Sequence, residues 1–243
     1  MPKLQRLRVA TDVGGTFTDV VFLHIHADGE QVIRTAKSNT TPPDFERGVL
    51  EVLEKSGVDI PAISSMAHGT TVVINAITER KGVKTGLITT QGFRDVLEIA
   101  RGNRPDFFNL RYAKPTPFVP RYLRREVAGR MSYRGEEREL LDRSSLVPII
   151  EEFRREGVEA IAICLLHSYA NDAHEKAVYE DVKKLWPDVS VVASHQITRE
   201  WREYERSSTT VIDAYVKQPV SEYLDGMQAS LAESGVTHPL HVM

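Results

Sequence analysis

Residues 10–22 read ATDVGGTFTDVVF, and this stretch limits the fold more than any other. An alternating run from Leu7 to Val13 meets Gly14-Gly15, and a second β-rich run, Asp19 to His26, follows at once. Asp28-Gly29 is a good two-residue hairpin turn into a third run, Gln31 to Ala36. Three short runs joined by two tight turns can only pair as an antiparallel meander. Strands and helices then alternate. Phe45, Val49, Val52 and Leu53 recur at helical spacing up to a stop at Gly57. Ser65 to Thr71 reads as a strand, Val72 to Lys81 as a helix closed by Gly82, and Thr85 to Thr89 as a strand. The alternation resumes with helices at Leu146–Glu156 and Ala173–Trp186 and strands at Ala160–Leu166 and Ser190–Ala193. This pattern predicts an α/β fold on a mixed sheet. Residues 92–142 break it with a Pro- and Arg-rich segment, read as an irregular insertion. One domain is expected over 1–198. A helical segment is expected over 199–243, interrupted near Pro219 and ending as a strand begins at PLHVM.

Composition narrows the class. The 243 residues are 41% hydrophobic and 27% charged with a net charge of −3, so no general field draws the chain to nucleic acid or anionic lipid. No apolar run nears the ~20 residues of a membrane span. The N-terminal residues pass straight into a strand pattern, which points to a cytoplasmic protein. The one cysteine, Cys164, lies in the apolar run AIAICLL and reads as a small core residue.

The candidate site residues fall in three places. In the first turn, the backbone around Gly14 and Gly15 can wrap an anion, Thr16 and Thr18 can add hydroxyl donors, and Asp12 can hold a metal ion or orient a nucleophile. An ordinary Gly-Gly turn between threonine-rich strands is the competing reading. In the second, His68, Gly69, Thr70 and Thr71 end a strand before a helix. They suit an anion with His68 as acid or base, or else a cap with a structural histidine. Asn75, four residues past Thr71, reads first as a packed polar residue. In the third, Arg101 and Arg104 can clamp a phosphate or carboxylate, or form a solvated basic face. His167, His174 and His195 show no metal-ligand spacing, and Asn171 or Asp172 reads as a helix cap.

Five stretches carry a family resemblance: DVGGTFTDVV, AHGTTVVINAITERKG, GLITTQGFRDVLEIARGNRPD, CLLHSYANDAHE and HQITREWREYERSSTTVIDAYV. Together they resemble the N-terminal region of the hydantoinase A/5-oxoprolinase family, within the actin and sugar-kinase ATPase superfamily. The resemblance implies a ribonuclease-H-like domain whose first hairpin holds ATP phosphates. It implies ATP-driven opening of lactams or cyclic imides such as 5-oxoproline and hydantoins, by phosphorylation of the carbonyl oxygen. By it, Gly14, Gly15, Thr16 and Thr18, with Gly69, Thr70 and Thr71, would contact the nucleotide. Asp12 would stand at the Mg2+ or nucleophile-orienting position, Asp12 and His68 would be catalytic, and Arg101 and Arg104 would meet substrate. It also implies a hydantoinase B-type partner subunit in a hetero-oligomer. Family members continue into a second ribonuclease-H-like domain, so this chain would hold about half of an ATP site. Two other readings stand beside it: the same region of an acetone or acetophenone carboxylase subunit, and a nucleotide-binding module without catalysis.

Overall fold

Leu7, Val9, Thr11 and Val13 are buried while Arg8 and Asp12 face outward, so the first run is a strand with one core face. The computed structural model describes residues 4–42, 44–103 and 106–243. In chain order the elements begin with β1 (Leu4–Val13), β2 (Phe17–His26), β3 (Gln31–Asn39), α1 (Phe45–Lys55), β4 (Ile63–Thr70) and α2 (Val72–Thr78). Then come β5 (Thr85–Thr90), α3 (Val96–Ile99), β6 (Arg124–Val127), β7 (Arg130–Met131), β8 (Glu137–Glu139) and α4 (Leu146–Arg155). The last are β9 (Ala160–Cys164), α5 (Ala173–Leu185), β10 (Ser190–Ala193), α6 (Ser194–Ile197), α7 (Glu203–Glu233) and β11 (Leu240–Val242).

The chain divides into two units, residues 1–81 with 219–243, and residues 82–218. The span 1–198, expected as one domain, is thus shared between both. In the first unit the sheet order is β11-β4-β1-β2-β3, with β1, β2 and β3 antiparallel in turn and β4 and β11 parallel to β1. This is the ribonuclease-H-like meander that the family resemblance implied. Gly29, at φ +87°, turns β2 into β3, and its N–H donates to the His26 carbonyl at 3.0 Å. Val49, Val52 and Leu53 of α1 and Tyr223, Met227 and Leu231 of α7 pack with this sheet's core residues.

The second unit holds a four-stranded sheet, β10-β9-β5-β6, parallel throughout. Every residue of β5 and β9 is buried, as befits strands covered on both faces. Ile149, Ile150 and Phe153 of α4 and Val178 and Val182 of α5 join the core. The Pro- and Arg-rich segment is less irregular than its sequence suggests. It supplies β6 to the sheet and the short hairpin of β7 and β8. Arg124 is buried there because its Nε donates to the Val119 carbonyl at 3.0 Å and its Nη2 to Glu98 at 2.8 Å.

Helix α7 runs unbroken for 31 residues through Pro219, where an interruption was expected. A proline leaves the carbonyl four residues back without its helical donor. Here that carbonyl belongs to Tyr215, and it accepts the N–H of Val83 at 3.0 Å. The approach requires Gly82: a Cβ there would lie 2.4 Å from the Tyr215 oxygen and 2.3 Å from its ring. Gly82 therefore does not close α2, which ends at Thr78. Gly82→Ala should destabilise the protein by about 2–3 kcal/mol through forced separation of Val83 from Tyr215. Urea unfolding monitored by circular dichroism measures it, and an unchanged midpoint would refute the close-approach role.

Candidate nucleotide-binding face

Parallel pairing of β1 with β4 sets Thr11 opposite His68, Asp12 opposite Gly69 and Val13 opposite Thr70. Alternation along the strands then separates the candidate residues onto two faces. Asp12 is exposed, and an added Cβ on Gly69 would meet its Oδ1 at 3.6 Å, so the carboxylate lies over bare backbone. Asp19 faces Asp12 across β1 and β2 and is ion-paired to Lys37 at 3.3 Å.

The turn beside Asp12 is held from within. The Gly14 N–H donates to the Phe17 carbonyl at 3.0 Å, the Thr40 hydroxyl to the Gly14 carbonyl at 2.8 Å, and the Thr40 N–H to the Thr16 carbonyl at 2.9 Å. Neither Gly14 nor Gly15 takes a positive φ. Their value is room: a Cβ on Gly14 would press to 3.2 Å from the Phe17 oxygen, and one on Gly15 would face Asn75 Nδ2 at 3.5 Å. Gly15 and Thr16 are exposed, and their N–H groups donate to no other group among the described residues. Two free amides at a tight turn are ready donors for an anion.

Thr18 is not part of this donor set. It is fully buried on the opposite face, its hydroxyl 3.4 Å from that of Thr40 and against Gly48 of α1. Period-two alternation places it with Val20 and Phe22, and this parity separates it from Thr16. Thr70 and Thr71 secure the junction of β4 and α2. The Thr70 hydroxyl accepts the Val72 N–H at 3.2 Å, and Thr71 donates its N–H to the Val13 carbonyl at 3.1 Å. Asn75 Nδ2 lies 3.4 Å from the Thr71 hydroxyl and beside Gly15, so it joins both segments.

His68 differs most from expectation. It is fully buried beneath the sheet, with Nδ1 2.6 Å from the Thr11 hydroxyl and Nε2 2.6 Å from the Tyr223 hydroxyl. Burial holds its pKa below the usual histidine value, against the opposing pull of the Asp12 charge. Burial also pushes the Tyr223 phenol up to about 12, while the Thr70 hydroxyl works the other way. A neutral imidazole between two hydroxyls with no exposed ring atom is a structural tie; it is not placed for acid–base work. Arg101 lies in the other unit and is ion-paired to Glu205. Arg104 lies outside the described residues. Among the described residues no three His, Cys, Asp or Glu side chains gather as a metal site. Nor is any helix among the described residues long and apolar enough to cross a membrane.

The model of the hydantoinase/oxoprolinase N-terminal region matches residues 8–186. Caprolactamase subunit alpha of Pseudomonas jessenii is 34% identical over 245 residues, covering 97% of this chain and 35% of that subunit. The crystal structure of the ATP-dependent caprolactamase from that organism superimposes with a TM-score of 0.84. The acetophenone carboxylase gamma subunit of Aromatoleum aromaticum is 33% identical over 245 residues, covering 92% of this chain and 33% of its own. A nucleotide-free acetone carboxylase structure also gives a TM-score of 0.84, at 26% identity over 100% of this chain and 36% of its own. The chain thus spans about a third of the length of these relatives.

The buried imidazole makes a pH prediction. Its folded pKa lies below the 6.5 of a free histidine, so between those values the unfolded state binds more protons. Stability should therefore fall as pH drops from about 7.5 to about 5.5, by at most about 1.4 kcal/mol per pH unit from this group. His24 and His167 are held low in the same sense, so the test is a difference: His68→Gln should flatten the slope without abolishing it. Equal slopes in urea melts of both proteins would contradict a neutral, buried His68.

Proposed function

Because the chain belongs to the hydantoinase/oxoprolinase family, whose N-terminal region it matches, we propose that it forms the nucleotide-holding part of an ATP-dependent enzyme. In this reading the enzyme opens a lactam or cyclic imide ring. The observation that carries the proposal is the exposed Asp12 beside bare Gly69, next to the unclaimed amides of Gly15 and Thr16. Bound ATP would supply a phosphoryl group that turns an inert carbonyl oxygen into a leaving group.

The residues fit that task in distinct ways. Gly15 and Thr16 would donate their amides to phosphate oxygens, and the exposed Thr16 hydroxyl would add a further bond. Asn75 would present its amide from the other segment. Asp12 would hold Mg2+ through an oxygen ligand set completed by water and phosphate, the mode in which this ion needs few carboxylates. Thr18 and His68 would support the strands from the buried face. Arg101 is held by Glu205 and takes no assigned role here.

The names of the relatives supply the substrate class, since caprolactam and 5-oxoproline are both cyclic amides. Several of these relatives are named as subunits, which supports a hetero-oligomer; in this reading its partner is a B-type subunit. A second reading, a ketone carboxylase subunit, is supported by the acetone carboxylase structure and the acetophenone carboxylase sequence.

In the complete subunit assayed with its partner, Asp12→Ala and Thr16→Ala should each lower ATP turnover by about a hundredfold or more while leaving the circular dichroism spectrum intact. Thr18→Ala should lower the melting temperature and leave the affinity for ATP unchanged. Turnover that survives both of the first changes would refute the hairpin assignment. Stimulation of that turnover by a lactam, or by a ketone with bicarbonate, separates the two readings.

A further inference from the structure

The second unit has its own convergence of polar groups, at the carboxyl ends of the parallel strands β5 and β9. Ligands of open parallel sheets bind in that position. Arg206 of α7 is almost fully buried, at 1% exposure. Its Nη2 donates to the Leu165 carbonyl at 2.6 Å and its Nη1 to the Glu200 carbonyl at 3.0 Å, but its Nε is buried with no acceptor. His167, two residues past Leu165, also has a buried Nδ1 without a partner, and it holds a left-handed φ of +62°. Such a backbone is uncommon outside glycine, and histidine is one of the side chains that adopts it more often than most. Arg130 stacks over the Phe93 ring at 4.8 Å and makes no ion pair or hydrogen bond through its side chain among the described residues.

Shared neighbours draw these three groups together. Phe93, beneath Arg130, also lines the small void beside Arg206. The Tyr169 ring packs against His167 at 5.8 Å and against the Arg206 guanidinium at 5.5 Å. The fields of Arg130 and Arg206 reach His167 and, after burial, help to hold its pKa low. Glu139, opposite Arg130 in the hairpin, and Glu203, near His167, form no ion pair with any of the three among the described residues. Two guanidiniums and an imidazole gathered without a paired carboxylate are unfavourable until an anion joins them.

We propose that Arg130, His167 and Arg206 form an oxyanion site that takes a small carboxylate or phosphate group. The void at Arg206 is about 10 Å3, enough for a single oxygen. The rest of the group would occupy the open cleft of about 440 Å3 lined by Thr90, Gln91, Gly92, Gly129, Arg130 and Glu139. Planar guanidinium forks suit either anion.

The test is calorimetric titration of the purified chain with inorganic phosphate and, separately, with acetate, each against sodium chloride at matched ionic strength. Saturable binding is expected, weakened about tenfold or more in Arg130→Gln and Arg206→Gln and unchanged in Arg138→Gln, which removes an exposed arginine paired to Glu136. Phosphate alone would identify a seat for a transferred phosphoryl group, and acetate alone a seat for a carboxylate; either supports the site. Arg206→Gln removes a buried group, so a folded Arg130→Gln decides the case if Arg206→Gln does not fold. Absence of saturation with both anions, or wild-type affinity in folded Arg130→Gln, would overturn the proposal. No ATP is present, so this result and the fate of the hairpin assignment are independent.

Discussion

The candidate nucleotide-binding face rests on one pairing, the parallel register of β1 with β4. That register brings the turn after β1 beside the start of α2, although more than fifty residues of chain separate them. The buried chain Thr11–His68–Tyr223 fixes it from below with two hydrogen bonds of 2.6 Å. A slip of one residue would put Asp12 and His68 on the same face, either drawing the carboxylate into the core or pushing the imidazole out of it. Buried hydrogen-bonded side chains specify such a register better than apolar packing does, because a misaligned polar group loses its partner outright.

The second unit solves a related problem with charge. Leu165, just beyond β9, is gripped from both sides. Its N–H donates to the fully buried carboxylate of Glu175 at 2.8 Å, and its carbonyl accepts from Arg206 at 2.6 Å. Glu175 also receives the Ser194 hydroxyl and both the N–H and Nδ1 of His195, so its charge is well solvated by protein donors. The loop after β9 and the start of α6 are thereby tied to α5. Only after this network is satisfied does the unpartnered Nε of Arg206 stand out.

Much of this was legible in the sequence. The meander, the helical periodicities of α1 and α4 and the buried run of β9 follow from the spacing of apolar residues. What was not legible depends on long-range contacts. Thr16 and Thr18 are chemically alike and two residues apart, yet one is exposed and the other buried under α1. The Gly-Gly turn read as an anion wrap, and nothing local shows that its glycines also serve close packing against Phe17 and Asn75. Pro219 read as an interruption because nothing local reveals that Val83 supplies the missing donor to Tyr215. Asn75 carried a faint signal, its spacing from Thr71. Tyr223 carried none.

The sequence by itself determined the elements, the turn that bears the free amides and the family to which they belong, because local periodicity, glycine placement and motif spacing are properties of short stretches of chain. Only the tertiary structure decided which side chains of those motifs face solvent and which lock the strands together. Strand parity and cross-sheet hydrogen bonding are set by partners far away in the chain, and they turned a histidine that reads as catalytic into a buried tie.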